Sequence, residues 1–329
     1  MLRRAVVAGT RAATVARAET STATRSMGVL SFLEADTTKL EKQIAEFNND
    51  VDTKFPRYPV WGPRVPLEVT ESYEADTKNF FETHWDEVVD LDKSLRKSAQ
   101  ALCDTLPPKV HDKLSLPHPK SSLGVSDLTE KYYDDWMGED KEQRVLMPLC
   151  GGWSVEMGAF AALGHRVVGV EYVRAAVDAL AIYDILPEFH EEGWRENFLI
   201  HHSPESGAIV AEGNFFDATP EELGTFDKVF DRCGITSVPR ERIGEYANVL
   251  YSLMKPGATL LMETMSASGD STGDNDTYSW CTPAELAKVF KGPQWKFKEL
   301  ETAEVTNLEH FTDLNLDNLK QHFLLITRV

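Results

Sequence analysis

Four short stretches of this 329-residue chain carry residue types that could do chemistry on a bound ligand. In Leu149-Cys150-Gly151-Gly152, two glycines let the backbone approach a ligand and expose amides at the start of the next helix. Glu171 ends the run VVGVE, twenty positions after Gly151. A carboxylate at that place and spacing accepts hydrogen bonds from the two ribose hydroxyls of a nucleoside. Asn214-Phe215 offers a polar group and an aromatic face to an adenine ring. In Asp231-Arg232 the guanidinium could stabilise a thiolate, grip a carboxylate, or pair with its neighbour Asp231. Asp231 itself either meets a ligand amino group or is structural. The first three stretches together describe a nucleoside-containing cofactor.

The loop narrows the choice. A dinucleotide site wants G-x-G-x-x-G, and here the third glycine is missing. Trp153 in the same turn would crowd a pyrophosphate. S-adenosylmethionine has no phosphate and fits better. Cys150 and Cys233 stand beside these motifs but read as small apolar fillers without chemistry. The four cysteines are scattered, with no CxxC pair, so neither a disulfide framework nor a zinc site is expected. The pair His201-His202 has no partner at ligand spacing and reads as a surface loop. No metal site is expected.

The elements that must position these residues begin near Arg144. RVLMPLC, HRVVGVEY, GAIVAEGNFF, TFDKVFDRCG, GATLLMETM, WKFKEL and HFLLITRV are seven candidate strands, separated by helical segments. Alternating βα units predict an α/β fold: a doubly wound, mostly parallel seven-stranded, Rossmann-like sheet with a closing antiparallel pair at its edge. Ligands bind such sheets at the carboxyl ends of the strands, where all four stretches fall. Thr282-Pro283-Ala284-Glu285 reads as a capping box opening a short helix. Residues 27–140 read as a helical N-terminal extension, a lid over the acceptor or a docking part, and 141–329 as the cofactor-binding domain. In the extension, Leu40, Ile44 and Phe47 share a helix face, and Phe80 to Leu95 suggest a second helix.

Residues 1–26 differ from the rest. They hold five arginines, no lysine and a single acid, Glu19, among alanine, serine and threonine. That composition predicts an organelle transit peptide, mitochondrial before plastid. The alternative is a tail on a cytoplasmic chain started at Met27. With 53 acidic and 34 basic residues the formal net charge is -19, which argues against nucleic acid as a partner. No apolar run approaches the roughly 20 residues of a membrane-spanning helix. A monomer acting on a small-molecule nucleophile is the expectation.

The run VLMPLCGGWSVEMGAFAALGHRVVGVE resembles the signature of the thiopurine S-methyltransferase family. GNFFD, FDKVFDRCGITSVPRERIGEYANVLYSLMKPG and TYSWCTPAELAKVF are similar to its later segments, so the likeness covers about residues 143–300, in order. The resemblance implies S-adenosylmethionine held by Leu149, Glu171, Asn214-Phe215 and Arg232. It also implies a tryptophan near the N-terminus; Trp85, ending FFETHW, is one candidate and Trp136 its rival. Asn214 stands where the family has aspartate, and SASGDSTGDNDTY replaces its Gly-Pro-Pro-Phe segment. The expected activity is methyl transfer to a thiol, a thioether or a halide. The alternatives are an O- or N-methyltransferase, and a non-catalytic cofactor-binding subunit.

Overall fold

A parallel strand buried on both faces needs aliphatic residues at nearly every position, and RVLMP and RVVGVE supply them. In the computed structural model they form β1 (Arg144–Pro148) and β2 (Arg166–Glu171), buried throughout except at their first residues. The structure describes residues 37–54, 93–107, 126–138, 142–152, 154–182, 188–267, 281–305 and 318–329, with single positions at 86, 90, 91, 111, 113, 114, 185 and 186. The chain enters through α1 (Thr37–Lys54), α2 (residues 93–103) and α3 (Asp127–Met137). After β1 come α4 (Val155–Ala162), β2, α5 (Arg174–Ile182), β3 (His190–Arg195), β4 (Phe198–Ser203) and β5 (Ala208–Glu212). Then follow α6 (Pro220–Leu223), β6 (Phe226–Arg232), α7 (Ile243–Leu253), β7 (Met254–Ser266), α8 (Pro283–Val289), β8 (Trp295–Glu304) and β9 (Lys320–Arg328).

The sheet order is β3-β4-β5-β2-β1-β6-β7-β9-β8. Five central strands, β5 to β7 in that order, run parallel, and an antiparallel pair flanks each edge. The chain winds outward from β1 through β2 to β5, then returns to β6 on the other side of β1. The strand order therefore reverses between β1 and β6, where a ligand crevice opens at the carboxyl ends. Among the described residues the sheet has nine strands where seven were expected. The additions are β3 and β4. HEEGWR carries no apolar alternation because, as an edge strand, it is exposed along almost its whole length. FLIHHS is buried, and its two histidines disguised it as a loop. GNFF, read as the end of a strand, leaves the sheet after Glu212 and turns into a 3-10 helix at Phe215.

Two apolar layers clamp the sheet. On one face Tyr246 and Leu250 of α7 and Leu286 of α8 cover Val229, Leu260 and Met262. On the other, Trp136, Met157, Phe160 and Val177 cover Val145, Met147, Phe230 and Leu261. Each fully buried aliphatic or aromatic side chain of this kind contributes about 1.5–3 kcal/mol. The capping box at Thr282 and Glu285 is present. Leu40, Ile44 and Phe47 of α1 meet Leu106 and Leu114. Val51 of α1 and Leu95 of α2 pack on Val173, Ala175, Ala176 and Ala179, which places the N-terminal helices against α5. The segment 1–26, residues 55–66 of the proline-rich run, Trp85 and Trp153 lie outside the described residues.

Candidate cofactor-binding site

The first turn after β1 is held in an uncommon backbone conformation. Leu149 has φ 48° and Gly151 φ 66°, both left-handed, and only at Gly151 is that free of steric cost. The Cys150 amide donates to the Val170 carbonyl at 3.0 Å, which ties the loop to β2. Gly169 permits this approach: a Cβ there would lie 2.8 Å from Cys150 Sγ and 2.9 Å from Met157 Cε. Burial pushes the Cys150 and Cys233 thiols well above the ordinary range, so neither is a thiolate nucleophile.

Glu171 closes β2 directly against this loop. Its Oε2 accepts from the Gly151 amide at 2.8 Å, and Oε1 accepts from the Tyr172 and Val173 amides at 2.8 and 2.9 Å. A carboxylate offers about four acceptor positions, so one remains, on Oε2. A carboxylate free to accept from both ribose hydroxyls was expected; three of its positions are already taken by amides. Burial raises its pKa and the three amides oppose that rise.

The end of β5 departs further from expectation. Asn214 Oδ1 accepts from the Phe216 amide at 3.0 Å and caps the 3-10 turn Phe215–Asp217. The Phe215 ring is turned into the core, with its centroid 5.1 Å from that of Tyr246. Phe216 is the half-buried aromatic of this segment, and the Arg242 guanidinium lies 3.6 Å from its centroid.

Asp231 and Arg232, adjacent in sequence, point to opposite faces of the sheet. Asp231 is fully buried; Oδ1 accepts from the Gly234 and Ile235 amides and Oδ2 from the Tyr246 hydroxyl at 2.8 Å. It pins the turn after β6 and is structural. Burial pushes its pKa up to about 7. Arg232 does not pair with Asp231. Its Nη1 lies 2.6 Å from Glu156 Oε1, and its Nε 3.8 Å from Glu263 Oε2. Burial works against the guanidinium charge, and the two acids more than restore it, so its pKa lies above the ordinary arginine value. Glu156 opens α4, where a helix N-terminus favours an anion, and Glu263 faces Arg232 across the β6–β7 ladder. Neither acid was singled out in the sequence, because their partner comes from a distant segment. A Glu seventy-six positions before an Arg carries no periodic signal.

The cluster is acidic overall: two carboxylates surround one guanidinium, and Glu156 Oε2 and Glu263 Oε2 are buried with no hydrogen-bond partner among the described residues. Such orphaned acceptors suit a cationic ligand and repel a phosphate. The Ser126 amide, at the N-cap of α3, reaches Glu156 Oε1 at 3.4 Å and links α3 to this cluster. Trp136 lies elsewhere. It is buried between Phe160 and Phe230, and its indole N–H donates to the Thr259 carbonyl, so it is core packing.

A further group missed by the sequence reading sits at the end of β7. Ser266 Oγ lies 2.7 Å from His322 Nε2, and His322 Nδ1 lies 2.7 Å from Thr302 Oγ1, which donates to Glu299 Oε1 at 2.6 Å. Because Thr302 donates onward, it accepts from Nδ1–H, and Nε2 accepts the Ser266 hydroxyl proton. Burial lowers the His322 pKa, which favours this neutral ring.

Residues 121–329 match the family model described as Thiopurine S-methyltransferase (TPMT). The chain belongs to this family. The thiopurine S-methyltransferase of Bos taurus is 31% identical over 206 residues, covering 61% of this chain and 80% of the relative. That of Methylococcus capsulatus is 30% identical over 190 residues, covering 55% and 78%. A solved S-adenosylmethionine-dependent methyltransferase from Methanosarcina mazei aligns with TM-score 0.43 and 13% identity, over 62% of this chain and 98% of that one. This family member is an S-adenosylmethionine-dependent methyltransferase. Its strand ends fit that cofactor: an acid with an unused acceptor position, a glycine turn without phosphate-binding glycines, and an acid-rich cluster. Among the described residues no helix is long and apolar enough to cross a membrane.

Proposed function

We propose that this chain methylates a small-molecule sulfur nucleophile, a thiol or thioether, with soft anions such as halides as further acceptors. The cofactor supplies, when bound, a methyl group already activated by a sulfonium. The protein's work is then positioning: holding donor and acceptor in line is worth effective molarities of up to about 10⁵–10⁸ M. Glu171 holds Gly151 and keeps an acceptor position for a ribose hydroxyl, while Leu149 and Gly151 present the loop backbone. Arg232 orients Glu156 and Glu263 and keeps a side chain 27% exposed. It serves the site as a positioning residue.

The single observation that carries this reading is the acid-rich cluster of Glu156, Arg232 and Glu263 at the carboxyl ends of β6 and β7. It supports a cationic, phosphate-free cofactor in place of a dinucleotide. The test is a methyl-transfer screen with isotope-labelled S-adenosylmethionine over aromatic thiols, alkyl thiols, thioethers, halides, phenols and amines. Turnover confined to the sulfur acceptors and halides supports the proposal; turnover confined to phenols or amines refutes it.

One observation favours a second reading, an oxygen acceptor. Ser266, polarised by His322, is a proton-accepting pair at a strand end, and a hydroxyl nucleophile needs one where an aromatic thiol does not. The composition of residues 1–26 supports import into mitochondria, with the plastid as alternative. A reporter fused to residues 1–26 that stays cytoplasmic would remove that reading. We take the working unit to be a monomer without a nucleic-acid partner; light scattering during gel filtration tests the first point and a gel-shift assay the second.

A further inference from the structure

The hairpin of β3 and β4 has two faces with different contents. On one face, His201 reaches Glu212 Oε2 at 2.7 Å, and Arg174 bridges Glu212 and Glu191. On the other face the hairpin collects His190, Glu192 and His202. His190 and His202 are directly opposed across the ladder, so their rings leave the same face. Glu192 lies two residues beyond His190, at the bulge between Glu191 and Gly193. One ligand atom from each of the three side chains lies within 4.8 Å of those of the other two.

A second observation bears on what these atoms are ready to do. His190 Nδ1 lies 3.1 Å from the Glu188 carbonyl, a contact that only an N–H makes. The proton is thereby held on Nδ1, and Nε2 carries a bare lone pair. A backbone carbonyl holding the far ring nitrogen is the usual outer support of a metal-bound histidine. His202 Nδ1 and Glu192 Oε1 lie 3.1 Å apart on the same patch. Two imidazoles and a carboxylate form a borderline-soft set that suits zinc-like divalent ions and leaves a position for water.

We propose that His190, Glu192 and His202 form a solvent-facing binding site for a divalent transition-metal ion of the zinc class. An ion there ties the exposed edge strand β3 to β4. His201-His202 has no ligand partner at a short spacing along the chain. The partners come from across the hairpin, and of the two histidines only His202 faces them.

The test uses the full chain without a histidine tag, stripped with chelator and titrated calorimetrically with zinc at neutral pH. One equivalent is expected to bind, with an accompanying rise in the thermal midpoint. His202→Ala should abolish that equivalent and the midpoint rise. Glu192→Gln, an exposed change that leaves the fold intact, should weaken binding on the order of 10-fold or more. Cobalt substitution should give ligand-field bands without thiolate-to-metal charge transfer. The proposal is overturned if zinc is not taken up, if uptake survives both His202→Ala and Glu192→Gln, or if the cobalt spectrum shows thiolate ligation.

Discussion

The ends of β2 and β6 look alike in sequence and do different work. Glu171 ends β2 and Asp231 stands one residue before the end of β6, and each carboxylate gathers amides from the turn that follows. Asp231 is 0% exposed, and its second oxygen is taken by the Tyr246 hydroxyl. Glu171 is 8% exposed and keeps one acceptor position beside the glycine turn. The first acid builds the crevice and the second is left able to bind across it. A strand-end carboxylate is therefore a ligand group only when its local amides leave it something to offer.

The largest effect that would sharpen this contrast is expected from Arg232→Met. Removing the guanidinium leaves Glu156 and Glu263 buried without a countercharge, held only by the Ser126 amide and the Gln321 side chain, at a cost of about 3–5 kcal/mol in unfolding free energy. Denaturant melts check it; a loss below 1 kcal/mol would mean that the acids find other partners. Next is Glu171→Ala, which should weaken cofactor binding by about 1–3 kcal/mol and also release three amides. Calorimetry on the folded fraction separates the two. Equal cofactor affinity would make Glu171 a second Asp231.

The third prediction concerns pH. Asp231 has a folded pKa of about 7 against about 3.9 in the unfolded chain. The folded state therefore holds the extra proton between these values. Its contribution to stability is full below about pH 4 and is lost as pH rises through 7. Wild type should lose stability relative to Asp231→Asn between about pH 4 and 7, read from paired denaturant melts, with cofactor affinity unchanged between them. A constant difference would contradict the buried-acid assignment. The smallest effect is expected from Asn214→Ala, about 1 kcal/mol from loss of the cap on the Phe216 amide.

The central strands, the glycine turn and Glu171 were legible in the sequence because each is a local pattern: an apolar run, two glycines, an acid at a fixed distance. The edge hairpin was not, since an exposed strand has no apolar alternation and His201 is buried by a partner on β5. The roles of Phe215 and Phe216 could not be told apart from composition, because only the 3-10 turn after Asn214 decides which ring enters the core. Glu156, Glu263 and His322 escaped for a common reason. Each becomes part of the site through a partner on another element, and spacing along the chain does not record the pairing of β6 with β7 or of β7 with β9.

The most direct test of the central claim is calorimetric titration of S-adenosylmethionine into the full chain, with Glu171→Ala and Asp231→Asn in parallel. The account predicts one bound equivalent in wild type and in Asp231→Asn, and affinity weakened about 5-fold or more in Glu171→Ala. Equal affinity in wild type and Glu171→Ala, or no binding by the folded wild-type chain, would contradict it.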